Sequence, residues 1–113
     1  MNTESMNTLK IVRDTINLVQ QQMEEGTWNK AEKKSIAATL RSLDTIENVI
    51  VNETLMKMVD ELNASNTQLT GLIEDMEKAS AKIEKISTAV KRVSKVIGVL
   101  AEITKKAIAV GIL

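Results

Sequence analysis

From Leu62 to Ala107 an apolar residue returns at every seventh position, and again three residues on. The first series is Leu62, Leu69, Met76, Ile83, Val90, Ile97 and Thr104; the second is Ser65, Leu72, Ala79, Ile86, Val93, Leu100 and Ala107. Twelve of these fourteen positions are apolar, Ser65 and Thr104 being the exceptions. Heptad spacing keeps one seam of an α-helix turned toward a partner helix. From Ala89 onward a further column, Ala89, Val96, Ile103 and Val110, broadens that seam. A helix broadened in this way meets more than one neighbour.

The N-terminal half follows helical periods too. Leu9, Val12, Ile16, Val19 and Met23 recur at three- and four-residue spacing, with Ile11 and Leu18 on one flank, and predict a first helix over about 6–25. Gly26 is expected to end it, because glycine enters the left-handed conformation that costs other residues energy. Asn29, with Glu32 three residues later, has the form of a capping box. It opens a second helix over about 29–62, with Ile36, Leu40, Leu43, Ile46, Ile50, Leu55, Met58 and Leu62 on its apolar side. Val49, Val51, Met56 and Val59 add more apolar surface than one neighbour can cover. Around Ser65 the character changes: Asn63, Asn66 and Thr67 disfavour a helix interior and predict a reversal, followed by a third helix over about 67–110. Gly71 weakens its first turns. With no proline, the competing arrangement is a single rod from Asn29 to Val110, on the order of 120 Å long.

The expected fold is therefore all-α: an elongated antiparallel helical hairpin or three-helix bundle, one domain over residues 1–113, with coiled-coil heptads in the C-terminal half. Composition agrees, since the chain has one Trp, no Phe and no Tyr, and strands favour aromatics. Trp28, between the first two helices, is either a plug over the adjoining turn or an exposed binding anchor.

Charge changes the picture more than composition does. The net charge is zero, yet residues 1–41 carry +1, residues 42–77 carry −7 and residues 78–113 carry +6. An antiparallel reversal near Ser65 would set Asp44 and Glu47 beside Lys85 and Lys82, and Glu53 beside Lys78. Such pairs report on register more than on stability. The basic stretch could instead form an arm for nucleic acid or anionic lipid. Lys82, Lys85, Lys91, Arg92, Lys95, Lys105 and Lys106 scatter around the polar side without aromatics for stacking, which disfavours nucleic acid.

Candidate chemistry is sparse. Without His, Cys or Tyr the usual groups that titrate or attack near neutral pH are missing, and no glycine-rich phosphate loop occurs. Glu74, Asp75 and Glu77 are the only suggestion of a hard-metal cluster, and they fall on a solvated helix face. No catalytic residue, cofactor or metal is expected. The start, MNTESMNTLK, lacks the form of a secretory signal, and no apolar run approaches the roughly 18 residues of a membrane span. The cytoplasm is the default location, alongside export without a cleaved signal.

Two functional readings follow. The first is a non-enzymatic coiled-coil scaffold or adaptor that binds itself or a helical protein partner. It would act through the seam residues Leu69, Leu72, Met76, Ile83 and Ile86 and the extra face Val49, Val51, Met56 and Val59. The second is a membrane-directed helical protein, such as a component of an α-helical pore-forming toxin or a small immunity-type bundle. Its membrane surface would be the apolar end of the chain: Val96, Ile97, Leu100, Ile103, Ile108, Val110, Ile112 and Leu113.

Overall fold

The computed structural model describes residues 2–111, and among these no strand forms. Four helices follow one another: α1 (Thr3–Glu25), α2 (Lys30–Asn52), α3 (Leu55–Ala79) and, after a 3-10 turn at Ala81–Ile83, α4 (Glu84–Ala109). The all-α expectation holds. The hairpin and three-helix arrangements give way to four helices.

The first half is close to its reading. Asn2 caps α1 by accepting from the Ser5 amide at 2.8 Å. The capping box at α2 is complete: Asn29 Oδ1 accepts from the Glu32 amide and Glu32 Oε1 from the Asn29 amide, both at 2.8 Å. Gly26 does end α1, for a different reason than expected. Its φ of −86° is open to any residue; what the position excludes is a side chain, because a Cβ there would lie 2.6 Å from the Trp28 ring.

The long second helix is corrected. It breaks at Glu53–Thr54, whose backbones are extended. The physical reason is a change of phase. At about 100° per residue, Ile36, Leu43, Ile46 and Ile50 form one stripe, and in a continuous helix Leu55, Met58, Val59 and Leu62 would be turned roughly 120° from it. No single neighbour serves both stripes, so the chain reverses and both face one core.

The reversal expected near Ser65 is corrected as well, and the unbroken rod with it. Ser65 is buried within α3, and Asn66 accepts a hydrogen bond from the Ser94 hydroxyl of α4. A tertiary contact thus absorbs Asn66, while the Thr67 hydroxyl donates to the Asn63 carbonyl within α3 itself. The chain turns instead at Ser80, an extended residue whose hydroxyl accepts from the Lys82 amide.

The bundle measures 49 × 21 × 18 Å. Helices of 23 to 26 residues are about 34–39 Å long, so they must lie side by side. Each packs on the next, and α4 returns to α1. Cross-contacts fix the directions: Arg13 with Glu47, Thr39 with Met76, and Asn66 with Ser94 join antiparallel neighbours. The core runs the length of the bundle, with Val12, Ile36, Leu43, Leu62, Leu69, Ile86 and Ile97 fully buried. Of the broadening column Ala89, Val96, Ile103 and Val110, Val96 lines a cleft with Ile11 of α1, while Ile103 and Val110 remain exposed.

This topology changes the charge partners. Glu47 pairs with Arg13 at 2.7 Å, and Glu77 pairs with Lys91. Asp44 and Glu47 do not meet Lys85 and Lys82, because α4 packs on α3 and α1 rather than α2. Glu53 and Lys78 lie at opposite ends of α3. Gly71, exposed within α3 with open space where its Cβ would point, is replaceable. Gly71→Ala should raise stability by about 0.5–1 kcal/mol, read as a higher urea midpoint at unchanged slope.

Candidate interaction surface at one end of the bundle

The two ends of the bundle differ in kind. At the end where the α1–α2 and α3–α4 turns meet, the polar and aromatic groups are tied together. Trp28 is only 8% exposed and its indole Nε1 donates to the Gln22 carbonyl at 3.0 Å. It is a plug, not an exposed anchor. Lys82 crosses from the other turn, donating to the Thr27 carbonyl at 2.6 Å with its ammonium 5.4 Å from the indole centroid.

Glu32 belongs to the same end. Its carboxyl is held below the ordinary value of 4.5, first by the hydrogen bond from the Asn29 backbone, then by the nearby Ser80 hydroxyl and the charge of Lys82, against an opposing cost of burial. Its Oε2 has no hydrogen bond of standard geometry. A carboxylate with a lowered folded pKa contributes stability that is complete above the ordinary value and is lost as pH falls through the folded one. Thermal midpoints measured from pH 7 to pH 3 should therefore fall more steeply for the natural chain than for Glu32→Gln, which keeps an acceptor for the cap but does not titrate.

The opposite end gathers the N-terminus of α1, the α2–α3 turn and the last turns of α4. All six exposed large apolar side chains among the described residues lie toward it: Met6, Val51, Met56, Val99, Ile103 and Val110. Met56 is 73% exposed and Val110 67%. Three clefts open there. Ser5, Ile50, Val51, Leu55 and Met58 line one between the start of α1 and the α2–α3 turn. Met56, Val59, Lys105 and Ile108 line a second between α3 and α4. Glu4, Asn7, Ile11, Val96, Val99 and Ile103 line the third, between α1 and α4. Exposed apolar side chains that share a cleft, as Val99 and Ile103 do, are the usual mark of a contact surface.

The residues singled out from sequence divide between core and surface. Leu69, Met76, Ile83 and Ile86 are fully buried within the chain's own core; Val49 and Val59 are nearly so, and Leu72 is half-buried. Val51 and Met56 remain accessible at the open end. Of the C-terminal apolar residues, Ile97 and Leu100 are core, Val96 and Ile108 half-buried, and Ile103 and Val110 exposed. Ile112 and Leu113 lie outside the described residues. No described helix is long and apolar enough to cross a membrane.

Two accessible residues escaped the sequence reading. Val99 stands in a column at seven-residue spacing, Lys85, Arg92, Val99 and Lys106, where an isolated apolar residue among cations was the available signal. Met6 stands off the apolar stripe of α1, and that displacement was its signal. Glu74, Asp75 and Glu77 are exposed, and among the described residues no group of three or more acidic side chains is placed to hold a metal ion. Comparison with protein-family models, with curated proteins and with solved structures finds no match.

Proposed function

We propose that this chain is a non-enzymatic helical scaffold or adaptor that uses the open end of the bundle to bind a helical protein segment or further copies of itself. One observation carries the reading: the six large apolar side chains exposed among the described residues all lie toward one end, spread around its clefts, while the other end is closed by Trp28, Lys82 and Glu32. In this reading α3 and α4 form an antiparallel coiled-coil pair that serves as framework, and Val51, Met56, Val99 and Ile103 make the contact. Grooves between antiparallel helices suit an amphipathic helix, which inserts apolar side chains at three- and four-residue spacing.

Site-specific photo-crosslinking tests it. A photoreactive residue at position 103 or 56 should form adducts with protein, and one at exposed position 33, at the closed end, should not. Equal labelling at both ends, or none at either, would overturn the reading. A lipid surface is the second occupant to consider, because Lys105 and Lys106 flank the exposed Ile103 and Val110. Co-sedimentation with anionic vesicles at low salt, abolished by Ile103→Asp, would favour lipid over protein.

A further inference from the structure

The face shared by α1 and α4 carries a charge pattern that selects its own partner. On α1 the residues Glu4, Ile11, Leu18 and Glu25 recur every seventh position and so share one side of the helix, with Asp14 beside them. On α4 the residues Lys85, Arg92, Val99 and Lys106 do the same, next to Val96 and Ile103. One helix thus presents acids around a half-buried apolar centre of Ile11 and Leu18. Its neighbour presents cations around Val96, Val99 and Ile103. Glu4, Asp14, Glu25, Lys85, Arg92 and Lys106 are all exposed, and neither of the two ion pairs found among the described residues uses any of them.

We infer that this face pairs with the same face of a second copy, about a two-fold axis parallel to the bundle, so that α1 of each copy lies over α4 of the other. The deduction rests on the reading of the chain as an interaction protein and names a partner for its α1–α4 side, which includes Val99 and Ile103 but not Val51 or Met56. A two-fold axis along the bundle exchanges the positions of α1 and α4 while keeping each residue at its own height. The antiparallel packing of α1 and α4 puts Asp14 at the height of Arg92, Glu25 at that of Lys85 and Ile11 at that of Val96. Across the axis each acid therefore faces a cation of the second copy, and the apolar centres meet. An axis perpendicular to the bundle would lay acidic α1 on acidic α1 instead. Charge complementarity decides between the two, since like charges brought together at an interface disfavour it. The contact is isologous and closes at two copies.

The test is absolute mass by light scattering across a concentration series into the millimolar range. The natural chain should approach twice 12.4 kDa. Val99→Asp should stay at 12.4 kDa with its helical circular dichroism intact, since this side chain is half exposed. Asp14→Arg and Arg92→Glu should each weaken dimerisation on the order of tenfold or more by placing like charges together. An equimolar mixture of the two should restore it, because in the mixed dimer both Asp14–Arg92 contacts are again between opposite charges. An effect confined to one chain would not be repaired by mixing. A natural chain that stays monomeric throughout, a dimer indifferent to Val99→Asp, or a mixture no better than its components would overturn the proposal. If the monomer still forms adducts at position 103, the adaptor reading stands and only the identity of the partner fails.

Discussion

Ile83→Asp should leave the chain unfolded at room temperature, with its helical circular dichroism lost. Ile83 is fully buried in the 3-10 turn that reverses the chain between α3 and α4. An aspartate there must either be buried as an unpaired charge or bind a proton, and both are costly. Such substitutions exceed about 4–5 kcal/mol, which for a domain of this size approaches the whole margin of stability, about 5–15 kcal/mol. The control is Met56→Asp at the open end, where a side chain 73% exposed can be charged for about 0.5 kcal/mol or less. An Ile83→Asp chain that kept its helicity and cooperative melting would show that α3 and α4 do not enclose this residue.

The second large effect belongs to the closed end. Trp28→Ala should cost about 3–5 kcal/mol, the range for removing a buried aromatic. It would also leave the Gln22 carbonyl without its indole donor and take away the ring beneath the Lys82 ammonium. Gly26→Ala attacks the same contact from the backbone side. Its new methyl would stand 2.6–2.7 Å from three indole ring atoms, so the ring must move, at a cost of about 1–3 kcal/mol. Trp28 is the only tryptophan, which makes its fluorescence the readout: Gly26→Ala should shift the emission to the red in the native state and lower the urea midpoint. An unchanged spectrum and midpoint would mean that the ring does not rest on Gly26.

Much of the fold was legible in the order of residues. The stripe of α1, the break at Gly26 and the reciprocal cap of Asn29 and Glu32 each depend on interactions within a few residues, and each is where local rules put it. The return of α1 against α4 was legible only in part: Val96 of the widening column does share a cleft with Ile11, but Ile103 and Val110 of that column remain exposed. The turn at Glu53–Thr54 left a signal in the rotation of the apolar stripe between Ile50 and Leu55, but breadth of face and change of phase look alike when apolar residues are simply counted. The turn at Ser80 left almost none. Met76 and Ile83 both face the core and are seven residues apart, so the heptad frame passes through the reversal as though the helix continued. Asn66 misled for the opposite reason: its polarity is answered from another helix, by Ser94, and no local rule can anticipate that partner.

The candidate site was less legible than the core, because exposure is decided by where the chain turns. Val51 and Met56 flank the turn at Glu53–Thr54, and only a reversal there brings them to the same end as Met6, Val99, Ile103 and Val110. The seam residues Leu69, Met76, Ile83 and Ile86 have the same apolar character, yet they are enclosed by the four helices of one chain. Apolar spacing marks what can be buried, and topology decides what is left outside.

The proposal therefore rests on that reversal, and a distance between spin labels at positions 41 and 67 tests it most directly. Both positions are exposed, and they lie at nearly equal distances along the chain on either side of the turn. The four-helix arrangement predicts backbones about 8–10 Å apart, the spacing of packed neighbouring helices, after allowance for the labels. A separation near 39 Å, the length of 26 residues in one continuous helix at about 1.5 Å each, would contradict it and disperse the apolar end with it.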